Sequence, residues 1–254
     1  MSKPRTFAVD AIILRHHDFG EADRLLVCYT RERGKVRALA KGVRRIKSRK
    51  AGHVEPLNAA RLLLAQGRDL AIVVQAEAIH TFPRLRRDLT RYTYAAYVAE
   101  LADKFTFEEE AHAGLYRLLL QTLRRLETFP DADLVTRYYE LRLLDLTGFR
   151  PELQHCTLCG AEIRPEPQFF SPQHGGVVCP RCGQSQPARP ISVDALRYLR
   201  HFQRSSFQGA ARARPTKAIH REMEAVLQSY LTHVLERRLN APVFLRHVRQ
   251  LGAQ

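Results

Sequence analysis

The sequence has 254 residues, of which 45% are apolar and 26% are charged, and these values are typical of a globular protein. No apolar run approaches the roughly 20 residues that a membrane-spanning helix needs. The N-terminus lacks the apolar core of a secretory signal, which predicts a cytoplasmic protein with reduced thiols. The formal net charge of +15 favours a polyanionic partner, most economically nucleic acid.

The positive charge is concentrated at the two ends of the chain. Residues 1–80 carry a net charge of +8, residues 81–188 carry −1, and residues 189–254 carry +8. Solubility alone would not require this asymmetry, so the distribution predicts a phosphate-binding groove or face to which both ends contribute. The affinity of such a surface should fall steeply with salt, because each phosphate contact releases counterions.

Residues 6–80 have the composition and turn spacing of β-strands. Two short Gly-containing connections, at residues 30–34 and 65–69, are suited to hairpins. Five short strands in about 75 residues predict a small antiparallel barrel; a five-stranded OB-fold fits this count, and so does an SH3-like barrel. The predicted strands cover residues 6–14, 24–29, 35–40, 61–64 and 70–79.

From Pro83 onward the pattern becomes helical. Apolar residues recur at three- and four-residue steps and predict helices that begin near residues 83, 115, 133, 192 and 215. Gly148 and Pro151 mark the end of the third helix, and Ser192 is the expected N-cap of the fourth. Residues 203–214 are rich in Ser, Gly, Ala and Arg and are expected to form a mobile linker. The fold class that we predict is therefore α+β with several domains.

The segment 41–50, which follows a predicted hairpin, contains six basic residues and no acidic residue. Such a cluster repels itself and cannot be buried unpaired, so it is stable only in water or against a polyanion. One interpretation is a solvated loop that increases solubility. The uneven distribution of charge along the chain favours the other interpretation, a loop that binds nucleic acid.

Four of the five cysteines form two Cys-x-x-Cys pairs, Cys156 with Cys159 and Cys179 with Cys182. The 19 residues between the pairs lie within the range of structural zinc sites. The two-residue spacing lets both thiolates of a pair point at one ion. Four protein ligands leave no open coordination position, so one zinc ion would hold structure rather than perform chemistry. Disulfides or unmetallated thiols are the alternative.

The neighbours of the cysteines have expected roles of their own. Gly160 and Gly183 follow the second cysteine of each pair, where a residue without Cβ lets the backbone turn and donate N–H groups to sulfur. His155 and His174 are surplus to a four-Cys site and are expected to be exposed. Cys28 lies in a predicted strand and is expected to be a small buried apolar residue.

No catalytic motif accompanies the cysteines. The sequence has neither a Walker loop nor a Gly-x-Ser-x-Gly nucleophile elbow. The acidic cluster at residues 108–110 cannot hold one metal ion jointly, because successive helical residues diverge by about 100°. We therefore predict a protein that is not an enzyme. The competing hypotheses are a zinc-ribbon adaptor that binds RNA or ribosomes without pairing strands, and a zinc hydrolase.

Motifs between residues 21 and 57 carry a family resemblance. They read Glu-Ala-Asp-Arg-Leu at 21–25, Thr at 30, Gly-Lys at 34–35, Ala-Lys-Gly-Val-Arg-Arg-Ile-Lys-Ser at 40–48 and Glu-Pro-Leu at 55–57. On these motifs the chain resembles the RecO family of bacterial DNA repair proteins. The likeness extends over essentially the whole chain, because the order of barrel, helices, four-Cys insert and basic terminal helix is similar to the family layout.

The resemblance implies an N-terminal OB-fold, binding to single- and double-stranded DNA, and annealing of complementary strands. It also implies a mediator role in the cytoplasm, at the nucleoid, in which RecR is a partner and RecA is helped to displace single-stranded-DNA-binding protein. The matching motifs supply the first five expected DNA contacts and charge alone supplies the last three: Lys35, Lys41, Arg44, Arg45 and Lys47, then Arg37, Arg49 and Lys50.

This layout divides the chain into an OB-fold DNA-binding domain (1–80), the first part of a helical domain (81–150), a four-Cys zinc module (151–188) and the C-terminal part of the helical domain (189–254). The barrel's basic loop should track phosphates without reading sequence, because a flexible loop presents no rigid element to base edges. Rings such as Phe19 or Tyr29 would offer stacking surfaces, although core burial is the favoured interpretation for each.

The C-terminal segment has a second cluster of positive charge. It either extends the DNA footprint or receives an acidic protein tail, and charge cannot choose between them. Its basic residues are Arg212, Arg214, Lys217, Arg221, Arg237, Arg238, Arg246 and Arg249.

Overall fold

A computed structural model describes residues 6–108 and 110–236, together with Leu239, Leu245 and Val248. The chain divides into two units. The first extends to Pro130 and also includes Leu245 and Val248, and the second spans Asp131–Leu239. In the described part of the chain, no helix has the length and apolar character needed to cross a membrane.

The first unit begins with a closed barrel of five strands. Consecutive barrel neighbours follow the order β1-β2-β3-β5-β4, and β4 pairs back to β1. All pairings are antiparallel except that between β3 and β5, which is parallel. This barrel is OB-like, as the sequence predicted. The strands are β1 (Thr6–Phe19), β2 (Asp23–Thr30), β3 (Gly34–Ala40), β4 (Ala59–Ala65) and β5 (Ala71–His80).

The barrel closes around aliphatic side chains that alternate along its strands. Ile13, Leu26, Leu62 and Leu64 are completely buried there, and Cys28 lies among them at 1% exposure. Because these residues point inward at every second position, their outward neighbours face solvent or the rest of the unit. Burial raises the pKa of the Cys28 thiol to about 12, so Cys28 is the inert apolar residue that the sequence predicted.

The first strand is longer than predicted. It continues past Leu14 to Phe19 because its pairing with β2 resumes after an irregularity between Ile13 and Arg15. The extension is polar, and its backbone hydrogen bonds, rather than an apolar pattern, maintain the strand. Alternation of side chains alone could not have revealed it.

Three α-helices follow the barrel along the chain: α1 (Pro83–Arg87), α2 (Leu89–Phe105) and α3 (Ala113–Thr128). The sequence predicted one helix from Pro83, but the chain breaks at Asp88. There the backbone is extended, and the Asp88 carboxylate accepts a hydrogen bond from the N–H of Arg91 at 3.0 Å, which caps α2.

The second unit combines helices with a small antiparallel sheet. Helices α4, α6 and α8 pack against one another, and β6 lies between β7 and β8 in the sheet. Ser192 caps α6 as predicted, with its hydroxyl 3.2 Å from the N–H of Ala195. The elements are α4 (Ala132–Leu146), β6 (Gln168–Ser171), β7 (Gly176–Val178), α5 (Pro180–Gly183), β8 (Arg189–Ile191), α6 (Val193–Arg204), α7 (Phe207–Ala210) and α8 (Lys217–Leu235).

The prediction of a mobile linker at residues 203–214 was wrong, because α7 lies within it. Ser206 caps this short helix and Ala210 is fully buried. A helix of four residues is too short to show a periodic pattern, and its composition of small residues resembles that of a loop.

Candidate functional site

The two cysteine pairs come together at one point of the second unit. Cys156 and Cys159 lie in the loop that precedes β6, while Cys179 follows β7 and Cys182 lies in α5. Their four sulfur atoms all lie within 4.8 Å of one another. Cys156 is 2% exposed and Cys159 is exposed, so the cluster lies at the surface with one side covered.

The spacing of the sulfurs fits a metal ion. Zinc bound by four thiolates at about 2.3 Å requires sulfur–sulfur distances of about 3.8 Å, the edge of the tetrahedron. The Sγ atoms of Cys159 and Cys179 are 3.8 Å apart. A disulfide needs about 2.05 Å, and all four cysteines are free. The residues present therefore form a tetrathiolate set that suits a structural metal ion.

Hydrogen bonds around the cluster favour a thiolate at Cys156. Burial raises the pKa of this thiol, but the backbone N–H groups of Cys179, Cys159 and Leu158 outweigh burial and lower the pKa to about 6. The N–H of Cys179 lies 3.4 Å from Cys156 Sγ. Hydrogen bonds with the thiols of Cys179 and Cys159 raise the pKa of Cys182 to about 12. A metal ion that binds all four sulfurs must displace such protons, so its affinity decreases at low pH.

The glycines beside the cluster let the backbone turn, and the backbone N–H groups that donate to sulfur are those of Leu158, Cys159 and Cys179. Gly160 has a φ of +72°, a conformation that favours glycine, and its N–H donates to the carbonyl of Cys156 at 2.9 Å. The N–H of Gly183 donates to the carbonyl of Cys179 at 2.8 Å. A Cβ at Gly183 would collide with the ring of Phe169, so this glycine permits the contact between α5 and β6.

The two nearby histidines are not part of the four-sulfur cluster. His155 lies 3.8 Å from Glu152, measured between Nδ1 and Oε1, and its side chain is largely exposed. His174 Nδ1 lies 3.0 Å from the hydroxyl of Ser171. The metal-ligand group that the described residues form consists of cysteines alone.

In the first unit, the basic loop (residues 41–50) connects β3 to the segment before β4. Its beginning is fixed by the barrel: the N–H of Gly42 donates to Asp23 Oδ1 at 2.7 Å, and the N–H of Arg44 donates to the carbonyl of Ala22 at 2.9 Å. Val43, between them, is 1% exposed and packs in the barrel core. The loop therefore starts from an ordered base.

The end of the basic loop is fixed as well. Lys50 Nζ donates to the carbonyl of Val73 on β5 at 3.0 Å. A one-turn 3-10 helix, Ala51–His53, follows, and Val54 after it is completely buried. Between its two fixed ends, the loop projects into solvent.

The basic residues of the loop differ in their partners. Arg44 lies 3.3 Å from Asp18, measured between Nη2 and Oδ2, so part of its charge is compensated. The other four exposed cations of the loop form no ion pair with any residue in the described ranges: Lys41, Arg45, Lys47 and Arg49.

The unpaired cations form one wall of a groove of about 930 Å³. The floor of the groove is the outer surface of β1, β4 and β5, where Leu63 and Val74 are apolar and Arg61, Gln75 and Glu77 are polar. Val74 is 45% exposed although it is apolar. Cations on one side and apolar surface on the other suit a strand whose phosphates and bases face different ways. Sequence reasoning missed these floor residues, whose signal was an apolar residue at an outward strand position.

The two candidate contacts on β3 face acidic groups. Lys35 Nζ lies 3.1 Å from Asp103 Oδ1, and both side chains are mostly buried. Arg37 Nε lies 2.7 Å from Glu108 Oε1, and both of these side chains are about half exposed. Neither residue lines the groove beside the basic loop.

The two candidate stacking rings differ in exposure. Tyr29 is 1% exposed, so its burial is confirmed, but it is not part of the barrel core. Its hydroxyl lies 3.5 Å from the carbonyl of His112, just before α3. Phe19 is 52% exposed at the end of β1, so the favoured interpretation of core burial was wrong for this ring. It follows Asp18 and precedes Gly20, and the Arg44 guanidinium contacts both of these neighbours. Phe19 therefore stands beside the start of the basic loop.

The C-terminal basic cluster is described only in part. The described members are exposed on the second unit. They are Arg212, Arg214, Lys217 and Arg221. The remaining four positions, Arg237, Arg238, Arg246 and Arg249, lie outside the described residues, as does Glu109 of the acidic cluster.

Comparison with known proteins assigns the family. The family models "Recombination protein O N terminal" and "Recombination protein O C terminal" match residues 1–82 and 86–242. A DNA repair protein RecO from Roseiflexus sp. (strain RS-1) is 41% identical over 250 residues, which cover 98% of this chain and 88% of the relative. The DNA repair protein RecO of Desulforudis audaxviator (strain MP104C) is 42% identical over 243 residues, which cover 95% of this chain and 97% of the relative. The chain belongs to the RecO family of DNA repair proteins.

Proposed function

We propose that this protein is a non-enzymatic recombination mediator that binds single- and double-stranded DNA and anneals complementary strands. The observation that carries the proposal is the groove whose wall holds four unpaired cations and whose floor exposes the apolar side chains of Leu63 and Val74. Phosphates bind along the basic loop, and bases lie toward Leu63 and Val74 of the floor. The exposed ring of Phe19 offers a further stacking surface near Arg44.

In this mechanism, annealing follows from charge screening. The basic residues of the loop neutralise phosphates of one strand, which reduces its repulsion of a complementary strand. The loop presents no rigid strand or helix to base edges, so binding is independent of sequence. Lys41, Arg45, Lys47 and Arg49 are the proposed principal contacts. Arg44, Lys50, Lys35 and Arg37 contribute less in this mechanism, because each has a partner in the protein.

The ion that we propose for the four cysteines is Zn²⁺, one per chain. It would be held by Cys156, Cys159, Cys179 and Cys182. With four sulfur ligands the ion would cross-link the two cysteine pairs and would have no open position for a reaction. The sulfur spacing supports the proposal. The ion stabilises the short strands β6 and β7, whose three or four residues bury little apolar surface.

A binding experiment tests the phosphate contacts. In the variant Arg45→Ala/Lys47→Ala/Arg49→Ala, affinity for single-stranded oligonucleotides of any sequence should fall. The slope of log K against log salt is negative and should become shallower by about 2, since each lost contact contributes about 0.7 to its magnitude. The matched control removes three exposed arginines from the helices of the same unit: Arg87→Ala/Arg117→Ala/Arg124→Ala. Equal salt slopes in the two triple variants would refute the assignment of the groove.

Duplex formation distinguishes annealing from simple binding. Complementary single strands are mixed with the protein, and pairing is followed by the quenching of a donor dye on one strand by an acceptor on the other. Acceleration that the groove variant loses and the control variant keeps supports annealing. Binding without acceleration supports the competing hypothesis of an adaptor for RNA or ribosomes.

The mediator role with RecR requires a reconstituted assay. RecA assembly on DNA coated with single-stranded-DNA-binding protein is followed through ATP hydrolysis by RecA. We expect this protein and RecR together to shorten the lag, with either alone much less effective. Such a protein would act in the cytoplasm, at the nucleoid, where its DNA substrate lies. An unchanged lag would limit the function to DNA binding and annealing.

A further inference from the structure

The basic loop carries an apolar side chain at its outer end. Ile46 is fully exposed, and its neighbours Arg45 and Lys47 are exposed cations. Single exposed apolar side chains are common on protein surfaces, so exposure alone assigns no role. The position of Ile46 is distinctive because it lies between two cations that have no acidic partner in the described ranges.

The structure holds Ile46 in a defined turn. The N–H of Ser48 donates to the carbonyl of Arg45 at 2.9 Å, so Ile46 occupies the second position of a four-residue turn. The preceding turn is closed as well, by the N–H of Arg45 and the carbonyl of Gly42 at 3.2 Å. With Val43 buried in the barrel core, these bonds keep the apolar side chain directed away from the barrel.

We propose that Ile46 is a wedge that packs against the face of an unstacked nucleobase. The inference rests on the proposed function, because it requires Arg45 and Lys47 to hold the adjacent phosphates. Apolar side chains such as Ile and Leu insert between bases in proteins that unstack nucleic acid. Ile46 is not part of the groove lining, so it meets a base where the strand passes over the rim of the loop.

The wedge makes single strands better ligands than closed duplex. Bases of a single strand unstack readily and can expose a face to Ile46, whereas a duplex must first separate stacked pairs at a cost of a few kcal/mol per step. The cations act on both substrates alike, since both present phosphates. Ile46 is therefore a residue that determines specificity, and the cations supply affinity.

The test compares Ile46→Ala with Ile46→Leu, which keeps the apolar volume, and with Leu89→Ala, which removes the same number of carbons from an exposed residue of α2. Affinity is measured over a range of salt concentrations for two substrates. One is a single-stranded oligonucleotide that contains 2-aminopurine, and the other is a covalently closed duplex circle without ends.

We expect Ile46→Ala to lose affinity for the single strand about fivefold, by loss of buried apolar surface, with an unchanged salt slope. The fluorescence change of 2-aminopurine at saturation should also decrease, and Ile46→Leu should restore both signals. On the duplex circle the loss should stay below about twofold. Wild-type behaviour of Ile46→Ala on the single strand, or an equal loss on both substrates, would overturn the wedge. The salt slopes of the Arg45, Lys47 and Arg49 variant report on the groove independently of this result.

Discussion

Lys35 and Asp103 form an ion pair that joins the barrel to α2. The Lys35 ammonium lies 3.1 Å from Asp103 Oδ1 and also donates to the Asp103 carbonyl. Arg15 Nε binds the other oxygen of the same carboxylate at 2.7 Å. The side chains of Lys35 and Asp103 are only 14% and 17% exposed, so water screens this pair less than a surface pair. Lys35 therefore has a structural role in addition to any contact with DNA.

This geometry predicts different phenotypes for two lysines of the same unit. Lys35→Met should lower the free energy of unfolding by about 2 kcal/mol, between the values for exposed and buried ion pairs, and should change the salt slope of DNA binding less than Lys47→Met does. Lys47→Met should leave the free energy of unfolding unchanged and make the negative salt slope shallower by about 0.7. Urea unfolding and salt-titrated binding measure the two quantities. If Lys35→Met lowers the slope as much as Lys47→Met does, Lys35 is a phosphate contact after all.

The Asp103 carboxylate also predicts a pH dependence of stability. Burial raises its pKa, but the hydrogen bond from Arg15 and the charge of Lys35 outweigh burial and hold the pKa below its usual range. Because the unfolded chain binds this proton at higher pH than the folded chain, the stabilisation is complete above the ordinary carboxyl pKa of about 3.9. It is lost as pH falls through the lower folded value.

We therefore expect the stability of the wild type to fall more steeply below about pH 4 than that of Asp103→Asn. At neutral pH the variant should be the less stable protein, and the difference should shrink on acidification. Urea unfolding at a series of pH values measures both. If the stability difference between the wild type and Asp103→Asn grew as the pH fell, the pKa of Asp103 could not be lowered in the folded protein.

The sequence predicted those features that depend on local spacing. The four cysteines meet because each two-residue spacing forms one half of a tetrahedral site, and only the approach of the two halves needed the fold. A small five-stranded barrel followed from the number and length of apolar segments, whereas the choice of an OB-fold over an SH3-like barrel came from the family resemblance. Gly34 marks a turn in the sequence, and the structure gives two reasons for a glycine there. Its φ is +66°, and a Cβ at this position would collide with the backbone of Glu110.

Features that depend on distant partners were not predictable in this way. Asp103, the partner of Lys35, lies 68 residues further along the chain. No periodic pattern reveals that pairing, so Lys35 looked like any other basic residue of the motif. The apolar side chains of the groove floor were hidden for a related reason, because Leu63 and Val74 have the strand-forming character of core residues. Whether such a residue points inward depends on strand register, and the pairing of β4 with β5 is irregular between Leu63 and Leu64, which interrupts the simple alternation of side chains.

A buried ion pair in the second unit gives a further prediction. Arg137 Nη2 lies 3.0 Å from Glu140 Oε1 on α4, and the side chains are 1% and 0% exposed. Removal of one charge leaves the other buried without this counter-ion, and the cost of burying it is then large. Glu140→Gln should therefore destabilise the protein by about 3–5 kcal/mol.

The double variant Arg137→Met/Glu140→Leu provides the control. It removes both charges and fills the space with apolar groups, so its unfolding free energy should be closer to that of the wild type than that of Glu140→Gln. Chemical denaturation of the three proteins measures the difference. If the double variant had the lowest free energy of unfolding of the three proteins, the ion pair would contribute more stability than apolar side chains in the same space.

Removal of the metal should loosen the cysteine module and leave the barrel ordered. This module contains only short strands, and in the arrangement that we propose the ion holds its four thiolates together. Loss of the metal therefore removes most of the stabilisation of the module. We expect about one zinc ion per chain in freshly purified protein. After chelation, amide hydrogen exchange should become faster within residues 152–191 and stay unchanged within β1 and β2.

Cys156→Ser should reproduce this pattern and lower the zinc content, whereas Cys28→Ser should retain the zinc, because Cys28 is not one of the clustered sulfurs. Zinc content that is unaffected by Cys156→Ser would exclude the four-sulfur site.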